Sequence, residues 1–183
     1  MGTYFPIFIN LEGKKVQVFG GGNIAVRRVS ALLEFGAEVH VTAPEISGKL
    51  EELAKQKGNL TLHYRPYQPG ELANAGLKIA ADGGAGNSRE GWECRKAALA
   101  IAATNDETVN DMVYQECRKE GIPVNVASDK EKCDFFFPGI AKEGDITVGV
   151  TAGGKDHKKA AQVTAQIRGF LGGLACPAGG KDE

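Results

Sequence analysis

The chain has 183 residues, of which 42% are hydrophobic and 25% charged, and its formal net charge is -1. This is ordinary globular composition, enough for one substantial core with at most a small appendage. It excludes binding to nucleic acid or to an acidic membrane driven by net charge.

"KKVQVFG" is a short apolar run after a charged turn, and it stops at Gly20. "IAVRRVSALLEFG" has apolar residues at helical spacing (Ile24, Ala25, Val29, Leu32, Leu33) and Gly36 as a C-terminal stop. "AEVHVTAP" reads as the next strand, closed by Pro44, and "ISGKLEELAKQKG" as a helix with Ser47 as candidate N-cap. "LTLHYRPY" alternates like a strand. This order predicts an α/β fold, a parallel Rossmann-type sheet with right-handed crossovers. "LKIAAD" and "LAIAATND" look like two copies of one strand. The expectation is that residues 99–104 form the core strand. Residues 78–98 are then an insertion, with a short helix around 93–98. The sequence alone leaves open whether "LKIAA" takes that slot. "DETVNDMVYQECRKEG" is an amphipathic helix starting near Asp106 and ending at Gly121, and "IPVNVAS" is a further strand. The pattern then changes. "CDFFFPGIAKEGDITVGVTAGG" reads as two antiparallel strands joined at "KEGD", "DHKKAAQVTAQIRGFLGGL" as a helix, and "ACPAGGKDE" as a frayed tail. Two domains are expected: residues 1–129, dinucleotide-binding, and 130–183, a small α+β segment.

No apolar run is long enough to span a bilayer. The start "MGTYFPIFINLEGKK" lacks the basic region and cleavage site of a signal peptide. Cys94, Cys117, Cys133 and Cys176 form no CxxC pair. They read as reduced thiols of a cytoplasmic protein, and no metal-ligand set is assigned.

Gly20, Gly22 and Ala25 match G-x-G-x-x-A between a strand and a helix. Such a loop turns tightly, lets backbone approach a pyrophosphate, and presents free N–H groups at a helix start. The second strand ends "VHVTAP", without the usual ribose-binding acid. The ribose is then held by backbone groups of Pro44 and Glu45, or by the Glu45 carboxylate. The ordinary reading of Glu45 is a first-turn helix acid. Arg27 and Arg28 lie too far into the helix to favour a 2′-phosphate.

These segments, together with "GIPVNVASD" and the late "IR" within 166–169, resemble the precorrin-2 dehydrogenase/sirohydrochlorin ferrochelatase family. That family is the NAD-dependent module of siroheme synthase. The resemblance covers most of residues 4–171. It implies NAD-dependent oxidation of precorrin-2 to sirohydrochlorin, with Fe2+ as a further substrate where iron is inserted, in a homodimer. It places cofactor contacts on Gly22, Asn23, Ile24, Pro44 and Glu45. Thr104 and Asn105 fall near the nicotinamide, and Asn125 is carried over as a substrate contact.

Three departures stand out. The family's proton-accepting aspartate falls on Ser128, so Asp129 next to it becomes the candidate acceptor; its ordinary reading is a solvated strand-end acid. Where relatives carry Ser-Pro beside the tetrapyrrole, this chain has Asp156 and His157. Asp156 reads as an N-cap and His157 as a candidate proton shuttle or ligand, while His40 and His63 read as structural. The family's covering helical domain has no counterpart before Glu183, so the expectation is a less enclosed ring or a partner that completes the site. Two other classes compete: a chelatase-only subunit, and a non-catalytic NAD-binding subunit of a tetrapyrrole-pathway complex.

Overall fold

The computed structural model describes residues 5–73, 96–153 and 155–173. They divide into two compact units, one over residues 9–135 and one over 136–173 with residues 5–8.

The larger unit is built on a five-stranded parallel sheet. Its strands are β1 (Lys15–Phe19), β2 (Glu38–Ala43), β3 (Leu60–Tyr64), β4 (Leu99–Ala102) and β5 (Val124–Val126), in spatial order β3-β2-β1-β4-β5. All four pairings are parallel. The central strands are apolar almost throughout because both faces are covered. The helices are α1 (Asn23–Glu34), α2 (Gly48–Gln56) and α3 (Glu107–Glu120). The chain runs outward from β1 to β3, then returns to β4 and moves the other way. Right-handed crossovers therefore put α1 and α2 on one face and α3 on the other. Val29, Leu32, Leu33 and Leu50 are buried on the first face with Val16, Val18, Val39 and Val41. On the second, Val113 and Cys117 of α3 pack into one core with Phe19, Ala100, Ala102, Val124 and Val126.

Leu99–Ala102 occupies the core slot between β1 and β5. The expected insertion, with "LKIAA" and Cys94, lies outside the described residues up to 95; residues 96–98 carry no helix. The tail after 173, with Cys176, also lies outside them. A 3-10 turn over Lys130–Lys132 follows β5.

In the smaller unit β6 (Gly139–Glu143) and β7 (Ile146–Val150) form an antiparallel hairpin turning at Gly144, which has φ +53°. Helix α4 (His157–Gly173) packs on β6, where Gly139 leaves room for Thr164. The Arg168 guanidinium donates to the Ile140 carbonyl. Among the described residues, no helix is long and apolar enough to cross a membrane.

Candidate dinucleotide site

The strand order reverses between β1 and β4, and open α/β sheets bind ligands at such a point, beyond the carboxyl ends of the strands. A cleft of about 750 Å³ lies there. It is lined by Gly20, Gly21 and Gly22 after β1, by residues 42–47 at the end of β2 and just beyond it, by Pro66 and Tyr67 after β3, and by residues 103–106 with Val109 after β4.

The three glycines have different constraints. Gly20 has φ +119°, and a Cβ there would lie 2.2 Å from the Ala103 carbonyl oxygen. A Cβ on Gly21 would lie 2.2 Å from the Glu45 carbonyl oxygen. A Cβ on Gly22 would meet nothing within 4 Å. Gly22 occupies the N-cap position of α1 with no side-chain cap, so the first N–H groups of the helix open towards an anion. Two backbone bonds fasten the loop to its neighbours: Gly20 N–H donates to the Thr42 carbonyl at 3.0 Å, and Ser47 N–H to the Gly21 carbonyl at 3.0 Å. Bare backbone closing on an open helix N-terminus is the cradle a diphosphate requires. The residues present therefore fit a dinucleotide.

Of the expected cofactor residues, Gly20, Gly22, Pro44, Glu45, Thr104 and Asn105 line the cleft. Asn23 and Ile24 begin α1 beside it. Sequence reasoning missed Gly21, which occupied a free position of the motif. It also missed Tyr67, whose ring meets Phe19 edge-on with centroids 5.1 Å apart and whose hydroxyl donates to Glu116. Burial first, then that carboxylate, push the Tyr67 phenol up, so it stays protonated. Asn110 was missed too. It is 1% exposed, accepts from Thr104 N–H at 3.1 Å and from the Thr104 hydroxyl at 2.8 Å, and donates to Ser128 Oγ at 3.3 Å. The spacing "TNDETVN" was the available signal.

The proposed acid–base residues lie outside the cleft lining. Ser128 is tied back to Asn110. Asp129 accepts from Glu131 N–H at 2.9 Å as cap of the 3-10 turn, and its other oxygen lies 3.5 Å from Lys132 Nζ. Asn125 is buried, donating to the Phe135 carbonyl at 2.7 Å and to Cys133 Sγ at 3.4 Å. Asp156 accepts from Lys159 N–H at 2.8 Å, as an N-cap should, and His157 is exposed at the start of α4. Burial pushes both described cysteine thiols up, Cys117 to about 12, which leaves neither as a thiolate nucleophile. No group of three or more metal-ligating side chains occurs among the described residues.

A parallel sheet with this order, a glycine-lined helix start and a cleft at the switch point define a Rossmann-type dinucleotide-binding protein. A family described as "Putative NAD(P)-binding" matches residues 7–139, and the chain belongs to it. The chain is 36% identical over 167 residues to the "Probable multifunctional siroheme biosynthesis protein HemA" of Ruminiclostridium josui, covering 90% of this chain and 28% of that protein. It is 33% identical over 168 residues to a "Siroheme synthase" of Nitrosococcus oceani, covering 92% and 31%. The chain thus spans under a third of the length of these relatives. Among solved structures it superposes on "SirC, precorrin-2 dehydrogenase" with a TM-score of 0.64 at 24% identity, over 93% of this chain and 70% of that one. The resemblance read from the sequence is thereby borne out at the level of family and fold.

Proposed function

We propose that this chain is a cytoplasmic, NAD-dependent dehydrogenase that oxidises precorrin-2 to sirohydrochlorin in siroheme biosynthesis, and that it works as a homodimer. The observation that carries the reading is the cleft at the β1/β4 switch point, floored by Gly20, Gly21 and Gly22 and closed by residues 44–47. When bound, NAD+ supplies a two-electron acceptor. The chain's part is to hold the diphosphate on the N–H groups that open α1 and to orient the nicotinamide half beyond β4. The Asn110 bonds fix the course of the backbone there at Thr104. Among the described residues the cleft lining contains Glu45 and Asp106 but no Lys or Arg, which favours NAD over NADP because a 2′-phosphate finds no cation among them. Loss of hydride from the macrocycle is matched by loss of a proton, and the Ser128–Asp129 turn is the place to test for its acceptor. Substrate contacts at Asn125, Asp156 and His157, and insertion of Fe2+ into the product, belong to the same proposal.

One observation favours a second reading. The Asp129 carboxylate is committed to a cap and to Lys132, and Ser128 carries no base. A chelatase-only or non-catalytic NAD-binding subunit would have no use for an acceptor here. Anaerobic incubation with precorrin-2 and NAD+, followed spectrally and then continued with Fe2+, separates the readings. Sirohydrochlorin formed at the expense of NAD+ supports the dehydrogenase. Iron insertion without NAD+ reduction supports the chelatase, and neither reaction with NAD bound supports the non-catalytic subunit.

A further inference from the structure

Thr42 Oγ1 and Ser47 Oγ are both buried and have no hydrogen-bond partner among the described residues. Both residues line the cleft. Thr42 is 2% exposed, next to the last residue of β2. Ser47 holds the N-cap position of α2, yet its side chain makes no capping bond. A buried hydroxyl ordinarily finds a carbonyl, and leaving one unpaired destabilises the fold. Here two unpaired hydroxyls stand on either side of Pro44 and Glu45. They lie about 20 residues beyond the glycine motif, where dinucleotide-binding domains carry the acid that holds the ribose. Their backbones are the same two that bond to the phosphate loop, Gly20 N–H to the Thr42 carbonyl and Ser47 N–H to the Gly21 carbonyl. The backbone at both residues is therefore tied to the loop that would hold a diphosphate.

We propose that Thr42 and Ser47 bind the vicinal diol of the adenosine ribose, two neutral hydroxyls doing here what a carboxylate does elsewhere. A hydroxyl both donates and accepts, as does each member of the diol. With no protein bond to give up, such a hydroxyl is turned towards a ligand by one staggered χ1 change. The proposal rests on the dinucleotide reading of the cleft and adds to it the identity of the ribose contacts.

The test compares wild type with Thr42→Val, Ser47→Ala and the double variant. Each is titrated calorimetrically with ADP-ribose and with its 2′-deoxyadenosine analogue, and each is melted without ligand. Wild type binds ADP-ribose more tightly than the deoxy analogue. The double variant loses about tenfold in ADP-ribose affinity, in line with one or two lost hydrogen bonds. It no longer distinguishes the two ligands, and it melts at the same or a higher temperature because a desolvated hydroxyl has gone. Equal ADP-ribose binding by wild type and variants overturns the proposal and leaves the dinucleotide site standing. A markedly lower melting temperature without ligand overturns it as well, since the hydroxyls are then structural. A wild type that binds no ADP-ribose removes the cleft reading and this proposal together.

Discussion

Gly21 and Gly22 adjoin in the chain and respond oppositely to a side chain. At Gly22 a Cβ enters open space, so Gly22→Asp is expected to fold normally. Its carboxylate then repels the diphosphate, and calorimetry should show NAD binding abolished with the melting temperature nearly unchanged. At Gly21 a Cβ meets the Glu45 carbonyl, so Gly21→Ala must push residues 45–46 away. Its melting temperature and NAD affinity should fall together. Local pattern was sufficient for Gly20 and Gly22, which have fixed places in the motif. The demand on Gly21 comes from Glu45 across the fold, which no local pattern records. Asp129 illustrates the same limit: an acid one place from the family position is legible, but its use as a cap is not. Asp129→Asn keeps a capping oxygen and is expected to leave precorrin-2 turnover unchanged. Ser128→Asp can still accept from Asn110 and is expected to raise turnover by on the order of 100-fold, the usual worth of a general base. A collapse of turnover in Asp129→Asn would return the acceptor role to Asp129.

Helix α3 shows how far element-level reading reaches. Asp106 and Gly121 were legible as its ends, and the structure has Asp106 accepting from Thr108 N–H at 2.8 Å and Gly121 at φ +62°. Asp106→Ala is expected to destabilise the fold by about 1 kcal/mol in chemical denaturation. The pairing of β2 with β3 was legible only as two strands, because no sequence feature revealed that their histidines meet. His40 Nδ1 lies 3.3 Å from His63 Nε2, the rings stack with centroids 5.6 Å apart, and Glu38 bonds His40 from the other side. Burial first, then the neighbouring His40 and Arg65, hold the His63 pKa below its ordinary 6.5, with Glu71 opposing. The unfolded chain therefore binds more protons than the native one just below that value. Stability contributed by neutral His63 is present above pH 6.5 and is lost as pH falls through the unfolded and then the folded pKa. The melting temperature should drop on acidification from neutrality, and His63→Gln should flatten that drop. An identical slope in the variant would assign the drop to carboxylates.

At the scale of the molecule, the smaller unit raises a packing question that its sequence had already posed. A two-stranded hairpin is marginal by itself, and small folds bury too little surface to be stable alone. Within residues 136–173 only Ala141, Thr164 and Leu171 are buried among the described residues. Phe170 is 67% exposed and Ile146 48%. Charged side chains, the usual protection of a free edge, are sparse on β7: "ITVGV" carries none. A second copy of the chain is the simplest cover, because a two-fold axis pairs the same apolar patch with itself. Through residues 130–171 it would continue the antiparallel architecture or stack two copies of α4. Sedimentation velocity at micromolar concentration is expected to show a dimer. Phe170→Glu combined with Ile146→Glu should convert it to monomer, since two buried like charges on each side cannot be desolvated without partners. NAD affinity should stay unchanged in that variant, because the described residues that line the cleft belong to the other unit. A wild-type monomer at that concentration would refute the dimer. A monomeric variant with lost NAD binding would mean instead that the cofactor cleft depends on assembly.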